Sequence, residues 1–344
     1  MDPATLALAL GFTLSFLMAI ALGGNDAATP CDTAVGAKVL TIRQAVTLFA
    51  IFVCIGALTQ GFMVMKTIGR GIVPAIDLLG VIVIITSAIA WILFCNIYGL
   101  EISVTHSIVG AVIGYGLAAY GADGIRWPLV QKVMISWLTS PLLAALLSFL
   151  TYKLLVMIIT RSNGVSKLMP TVLKIGLCYS AFAFGTNDIA NSTGVYITVA
   201  GIVFGEIPEY SMMLILAAIG SIGIVIGGFL LGPRVIQTVA FKITRLNPVA
   251  GVAAETSNAL VVHLFTTIPY MLFGYGIPIS TSLAGVGALV GVGLSMYRSA
   301  GINKKTLSLL FSAWVATIVV TATATYLLYS ALLPVTGPIF KAKP

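Results

Sequence analysis

Apolar runs long enough to cross a bilayer recur from one end of this sequence to the other. The first extends from Ala4 to Leu22, and others follow at about 45–65, 72–97, 104–120, 128–158, 168–184, 188–205, 211–232, 248–273, 282–297 and 305–333. A spanning helix needs ~20 apolar residues. The 344 residues, joined by short loops, therefore accommodate roughly ten to twelve transmembrane segments. Composition agrees: 59% of residues are hydrophobic and 8% charged, against ~25% charged in a soluble domain. So few charges could not keep a water-soluble exterior dispersed. A soluble enzyme, a disordered tail and a free nucleic-acid-binding module are excluded, and nucleic acid is not an expected partner. The expected fold is an all-α integral membrane protein, multi-pass in the plasma membrane, with the lipid bilayer as its surroundings. The net charge of +8 is read as Lys and Arg collected in cytoplasmic loops. Cys31, Cys54, Cys95 and Cys178 form no CxxC pair and are read as small apolar fillers.

Asp2-Pro3 is a good helix start. No Lys or Arg precedes the first apolar run, so it reads as a transmembrane helix and not a signal peptide. Runs 104–120 and 282–297 are short and Gly-interrupted, which suggests broken or re-entrant helices. Run 128–158 is long for one span, as if tilted. The polar stretch Arg161–Lys167, flanked by Lys153 and Lys174, is basic and free of acids, hence cytoplasmic. It divides the chain into a first transmembrane repeat (1–160), a central cytoplasmic linker (161–174) and a second repeat (175–344). The other basic clusters (Lys66/Arg70, Arg126/Lys132, Arg234/Lys242/Arg245, Arg298/Lys304/Lys305) do not alternate cleanly between sides.

The halves echo one another. Gly23-Gly24-Asn25-Asp26 matches Gly185-Thr186-Asn187-Asp188 at an offset of 188 − 26 = 162 residues. Lys66-Thr67-Ile68 matches Gln237-Thr238-Val239, and Ser103-Val104-Thr105 with its trailing glycines matches Ser280-Thr281-Ser282 at 280 − 103 = 177. Internal duplication in a membrane chain points to a transporter with its site at the repeat interface; an odd number of crossings per half makes the repeats inverted.

Most of the ten acids sit where loops are expected: Asp2, Asp77, Glu101, Asp123, Glu206 and Glu209. Asp26, Asp188, Asp32 and Glu255 lie in apolar surroundings. There a carboxylate costs at least ~2.5–3.5 kcal/mol on insertion scales. Neither Asp26 nor Asp188 has a Lys or Arg within ten residues, so a monovalent cation or a proton is the simplest partner. The competing reading, that each Asn-Asp merely caps a helix, weakens because the motif occurs twice at equivalent positions. Asn25 and Asn187 add a neutral amide oxygen and an amide donor each. Gly23, Gly24 and Gly185 permit an unwound turn that exposes backbone groups to an ion. Ser103, Thr105, Ser280, Thr281 and Ser282 precede Gly-rich helices, and Ser192 and Thr193 follow the second Asn-Asp. Together they make a neutral, donor-rich cradle for an oxyanion, although any single Ser or Thr is as simply a cap. Gly110-x-x-x-Gly114 and Gly287-x-x-x-Gly291 read as helix-packing faces. His106 is a proton relay or a packed histidine, and His263 a packed one. No Walker-type phosphate loop is present.

These motifs, Gly-x-Asn-Asp twice and Ser/Thr-rich segments before Gly-rich helices, resemble the inorganic phosphate transporter (PiT) family. Gly185–Ser192 is similar to its Gly-Ala-Asn-Asp hallmark, and Glu101–His106 and Pro278–Leu283 to its hydroxyl-rich motif; the segment Gly251–Val262 is similar as well. The departures are Thr29-Pro30 in place of Asn and a small residue, Asp32 in place of Gly, Leu283 in place of His, and no large central loop. The resemblance implies a cation-coupled, sodium-driven symporter of inorganic phosphate working by alternating access. Sodium would bind at Asn25, Asp26, Asn187, Asp188 and Glu255. Asp26, Asp188, Ser103, Thr105, Ser280, Thr281, Ser192 and Thr193 would line the anion site. No cofactor beyond the coupling ion and no enzymatic activity are expected, and the Gly-rich faces suggest a homodimer. Three other readings remain open: a sulfate or related oxyanion permease coupled to protons, a membrane-embedded aspartyl protease, and a channel.

Overall fold

The computed structural model describes residues 3–161, 164–196 and 210–336, with the side chains of 3–8, 66, 69, 70, 242, 299, 301 and 336 outside that description. Asp2, Glu206 and Glu209, and the side chains of Lys66, Arg70 and Lys242, thus lie outside it. Every element is helical: α1 (Pro3–Asp26), α2 (Ala28–Gly36), α3 (Ile42–Gln60), α4 (Phe62–Arg70), α5 (Leu78–Ile97), α6 (Val104–Tyr120), α7 (Trp127–Arg161), α8 (Val165–Thr193), α9 (Tyr210–Leu230), α10 (Gly232–Lys242), α11 (Pro248–Phe265), α12 (Thr267–Phe273), α13 (Thr281–Tyr297) and α14 (Lys304–Thr336), with two short 3₁₀ turns.

Among the described residues eight helical segments are long and apolar enough to span a membrane. The two short apolar runs form α6 and α13. At ~1.5 Å per residue each is about 25 Å long, short of a ~30 Å hydrocarbon core. Both are buried along most of their length. The long α7 and α14 do the opposite: Leu138, Leu142, Leu146, Leu150 and Leu154 form an exposed i, i+4 stripe on α7, a lipid-facing surface. The expected linker narrows, because α7 ends at Arg161 and α8 starts at Val165.

Two expectations about helix breaks are corrected. Residues 168–184 and 188–205 were expected as separate runs divided at the second Asn-Asp, but α8 passes through Asn187 and Asp188 without interruption. At the first motif only Ala27 separates α1 from α2. Its backbone is helical (φ −59°, ψ −17°) and its N–H reaches Gly23 O at 3.3 Å. The glycines serve packing, not unwinding. A Cβ on Gly23 would overlap the Ile224 carbonyl of α9, and one on Gly185 the Val53 carbonyl of α3. Reciprocally, Gly227 meets Ile20 and Gly56 meets Phe182.

The same exchange recurs around the short helices. Gly110 and Gly114 of α6 lie against Ile318 and Ala322 of α14, and Gly287 and Gly291 of α13 against Pro141 and Ala145 of α7. Each half therefore wraps its long last helix around the short helix of the other. These glycine faces are filled within the chain, which removes the reason for expecting a homodimer from them. A Gly291→Val substitution is expected to lower the thermal midpoint in detergent by about 5 °C or more, since overpacking against backbone costs ~1–3 kcal/mol. Gly164→Ala, with nothing within 4 Å of the added carbon, should leave the midpoint where it is. Equal midpoints for the two variants would remove the packing role.

Candidate functional site

The two short helices begin alike. Ser103 caps α6 with φ −87° and ψ 110°, and Ser280 caps α13 with φ −88° and ψ 108°. Their hydroxyls accept from His106 N and Leu283 N, each at 3.2 Å. The remaining N-terminal N–H groups leave each start with partial positive charge. The starts are cross-tied: Thr105 Oγ1 donates to Ile279 O at 3.0 Å, and Ser282 Oγ to Ile102 O at 3.2 Å. Thr105 and Ser282 are equivalents, 282 − 105 = 177 residues apart.

The Asn-Asp motifs reach these starts from the sides. Asn25 Nδ2 donates to Leu100 O at 3.0 Å and to Asn96 Oδ1 at 2.6 Å, while its Oδ1 accepts from Ile102 N at 2.9 Å. Asn187 grips Ile279 in the same manner, N–H to Oδ1 at 3.2 Å and Nδ2 to O at 2.9 Å. Each asparagine thus fixes the backbone just ahead of a capping serine. The aspartates stand beside them. Asp188 accepts from Asn191 Nδ2 at 2.8 Å and Asn187 Nδ2 at 3.1 Å, next to Thr281. Asp26 has the looser contact with Ser282, at 3.5 Å. Asn191 also donates to Thr105 Oγ1 at 3.1 Å. Asp26, Asp188, Ser103, Thr105, Ser280 and Thr281 are all buried and converge on one place.

Ser192 and Thr193 do not join them. Both hydroxyls bond back to Ile189 O, at 3.0 and 2.7 Å, and face Gly220 of α9; they lie on the face of α8 that carries Ile189. Glu255 is also apart, accepting from Thr33 Oγ1 at 2.7 Å beside Asp32. Two acids expected in loops are buried. Glu101 is 1% exposed and accepts from Thr29 Oγ1 at 2.8 Å, within electrostatic reach of Asp26. Asp77 caps α5 through Gly80 N at 2.6 Å and accepts from Tyr329 OH at 2.7 Å. Asp123 is exposed, as expected. His106 packs on Trp137 with ring centroids 3.8 Å apart. His263 lies between Tyr179 and Phe182.

Among the described residues no Lys or Arg side chain is buried. No group of three or more His, Cys, Asp or Glu side chains could hold a metal ion among the described residues, so a cation would meet at most two carboxylates, with amides, hydroxyls and carbonyls completing its shell. A surface cavity of 890 Å³ is lined by Lys38, Gln44, Tyr98, Gly99 and Arg234 among others.

Sequence reasoning placed Ser282 among the cradle hydroxyls but not in the anion lining that the resemblance implies, and it passed over Asn191, Thr29 and Asn96. The signal for Ser282 was available, since an offset of 177 pairs Thr105 with Ser282 and not with Thr281.

The profile described as "Phosphate transporter family" matches residues 22–175 and 160–325. The "Putative phosphate permease" of Pyrococcus furiosus is 29% identical over 94% of this chain and 96% of its own length. The "Probable low-affinity inorganic phosphate transporter" of Bacillus subtilis is 31% identical over 88% of this chain and 90% of its own. The solved structure titled "The sodium-dependent phosphate transporter" superposes with a TM-score of 0.87 at 27% identity, covering 95% of this chain and 98% of that one.

Proposed function

The chain belongs to the phosphate transporter family, and from that premise we propose that it carries inorganic phosphate across the plasma membrane together with sodium, by alternating access. It is a multi-pass integral membrane transporter, not an enzyme. The observation that carries the proposal is the pair of cross-tied helix starts at Ser103 and Ser280, set against two buried aspartates, with no buried basic side chain among the described residues. Helix N-termini and hydroxyls bind an oxyanion without a fixed cation. Asp26 and Asp188 supply the charge for sodium. Asn25 and Asn187 position the helix starts, and their oxygens keep a second lone pair for the ion. Ser103, Thr105, Ser280, Thr281 and Ser282 line the phosphate.

Coupling follows from electrostatics. Without sodium the aspartates repel an anion; with sodium bound the site attracts it. Phosphate is favoured over sulfate because at neutral pH it still carries a proton to donate to a carboxylate. Asp26, whose single hydrogen bond here is the 3.5 Å contact from Ser282, has acceptor capacity for it.

The bodies that rock are mixed bundles and not the sequence halves. One groups α1, α5, α6, α9 and α14, the other α3, α7, α8, α11 and α13, following the observed packing. The site lies where α6 of one bundle meets α13 of the other.

The test is labelled phosphate uptake into proteoliposomes with and without an inward sodium gradient, in the presence of excess sulfate. Uptake should require sodium and survive sulfate. Uptake that ignores sodium, or that sulfate suppresses, would put a proton-coupled oxyanion permease in its place.

A further inference from the structure

Six residues past Asp26 the chain carries another buried carboxylate, Asp32, which the site described above does not use. The helix is continuous enough through Ala27 that six residues place it about 9 Å farther along the axis. It is 2% exposed and lies within electrostatic reach of Glu255 of α11, itself 1% exposed. The repeat gives neither acid a counterpart. At the offset of 162 Asp32 corresponds to Gly194. At the offset of 170 that relates the caps Asp77 and Asn247, Glu255 corresponds to Ile85.

The surroundings are rich in oxygen. One Asp32 oxygen accepts from the Thr33 backbone, and one Glu255 oxygen accepts from Thr33 Oγ1 at 2.7 Å. Asn258, one turn beyond Glu255, donates through Nδ2 to Ser180 Oγ at 3.3 Å, and Ser180 also lies beside Glu255. That leaves Asp32 Oδ1, Glu255 Oε2 and Asn258 Oδ1 buried with no hydrogen-bond donor. Their residues are each at least nine-tenths buried. The ionisable neighbours are Cys31 and Glu101, and neither is a cation. Two carboxylates within electrostatic reach of each other in a dry interior repel, and unpaired buried acceptors are costly. A small cation offsets both.

We propose that Asp32, Glu255, Asn258, Ser180 and Thr33 form a sodium site separate from the Asp26–Asp188 pair, adding one sodium ion to each transport cycle. Two carboxylates, an amide oxygen and two hydroxyls are the hard oxygen donors that an alkali cation takes. The site is one-sided, since neither carboxylate has a counterpart in the other half. The proposal rests on the sodium-symport reading and deepens it.

The experiment is dual-label flux in proteoliposomes, counting sodium-22 against phosphorus-32, with wild type, Asp32→Asn and Asp32→Gly. Asn keeps the shape and an oxygen while removing the charge. Gly is what the second half carries at this place. The sodium-to-phosphate ratio should fall by one in both variants, with a lower Hill coefficient for sodium. An unchanged ratio in either variant, checked as monodisperse, would overturn the site, as would loss of a co-transported proton with sodium flux intact. A wild type that moves phosphate without sodium would instead bring down the symport reading, and this site with it.

Discussion

Asp188→Asn is expected to reduce sodium-stimulated phosphate uptake by about 100-fold or more while leaving expression and fold intact. Asp188 is fully buried and is the carboxylate that the second half brings to the site. Its charge is the term that holds a cation there. A charge-assisted contact is worth up to ~3 kcal/mol, and 1.4 kcal/mol is tenfold in affinity. Folding should not suffer, because the amide occupies the same volume and an ionised group no longer has to be kept from water. Two measurements separate loss of function from loss of structure. The thermal midpoint without sodium should match or exceed that of wild type. The upward shift on adding sodium, which follows RT ln(1 + [L]/Kd) for a ligand of the native state, should shrink towards zero. Full sodium-stimulated uptake in this variant would take Asp188 out of the mechanism.

What the sequence shows and hides follows from the same residues. The repeat, the membrane class, the short helices and the Asn-Asp pairs are legible because each depends on local composition or on spacing along the chain. The roles of Gly23 and Gly185 are not. A glycine beside Asn-Asp reads as a break, yet here it lets a carbonyl of α9 or α3 approach, a fact about a partner helix more than 30 residues away. Glu101 was misplaced for a related reason. It sits at the end of an apolar run, where a polar residue usually meets water, but α6 is too short to span and turns that end back into the interior. Ser192 and Thr193 were drawn in by closeness to Asp188 in sequence; the helical rotation that carries them to the face of Ile189 cannot be seen until α8 is known to continue through the motif. Asn25 and Asn187 were expected to offer an amide oxygen and an amide donor to the ions, while the structure uses both ends of each amide on backbone.

That use makes Asn187→Ala the second large effect. The truncation leaves Ile279 N–H without its partner in a dry interior, at ~1–3 kcal/mol for an unsatisfied group, and takes from Ile279 O one of its two donors, leaving it Thr105 Oγ1. The segment upstream is tied independently, through Gly276 N to Met63 O and Ile277 N to Phe265 O, both 2.9 Å. The damage should therefore concentrate at Ser280 and Thr281, and the protein should still fold. A misplacement of ~1 Å at a binding start can cost about 100-fold, so phosphate uptake should drop 10- to 100-fold, with a raised KM for phosphate. Because Asp188 keeps its charge and the Asn191 contact, the sodium-induced rise in thermal midpoint should persist in reduced form, unlike in Asp188→Asn. Asn25→Ala should behave alike but lose more stability, since Asn96 Oδ1 and Leu100 O lose a donor along with Ile102 N losing its acceptor. Uptake within threefold of wild type in Asn187→Ala would show that Ile279 is held by its other contacts, and the asparagines would then be left with the ion alone as their reason for being there.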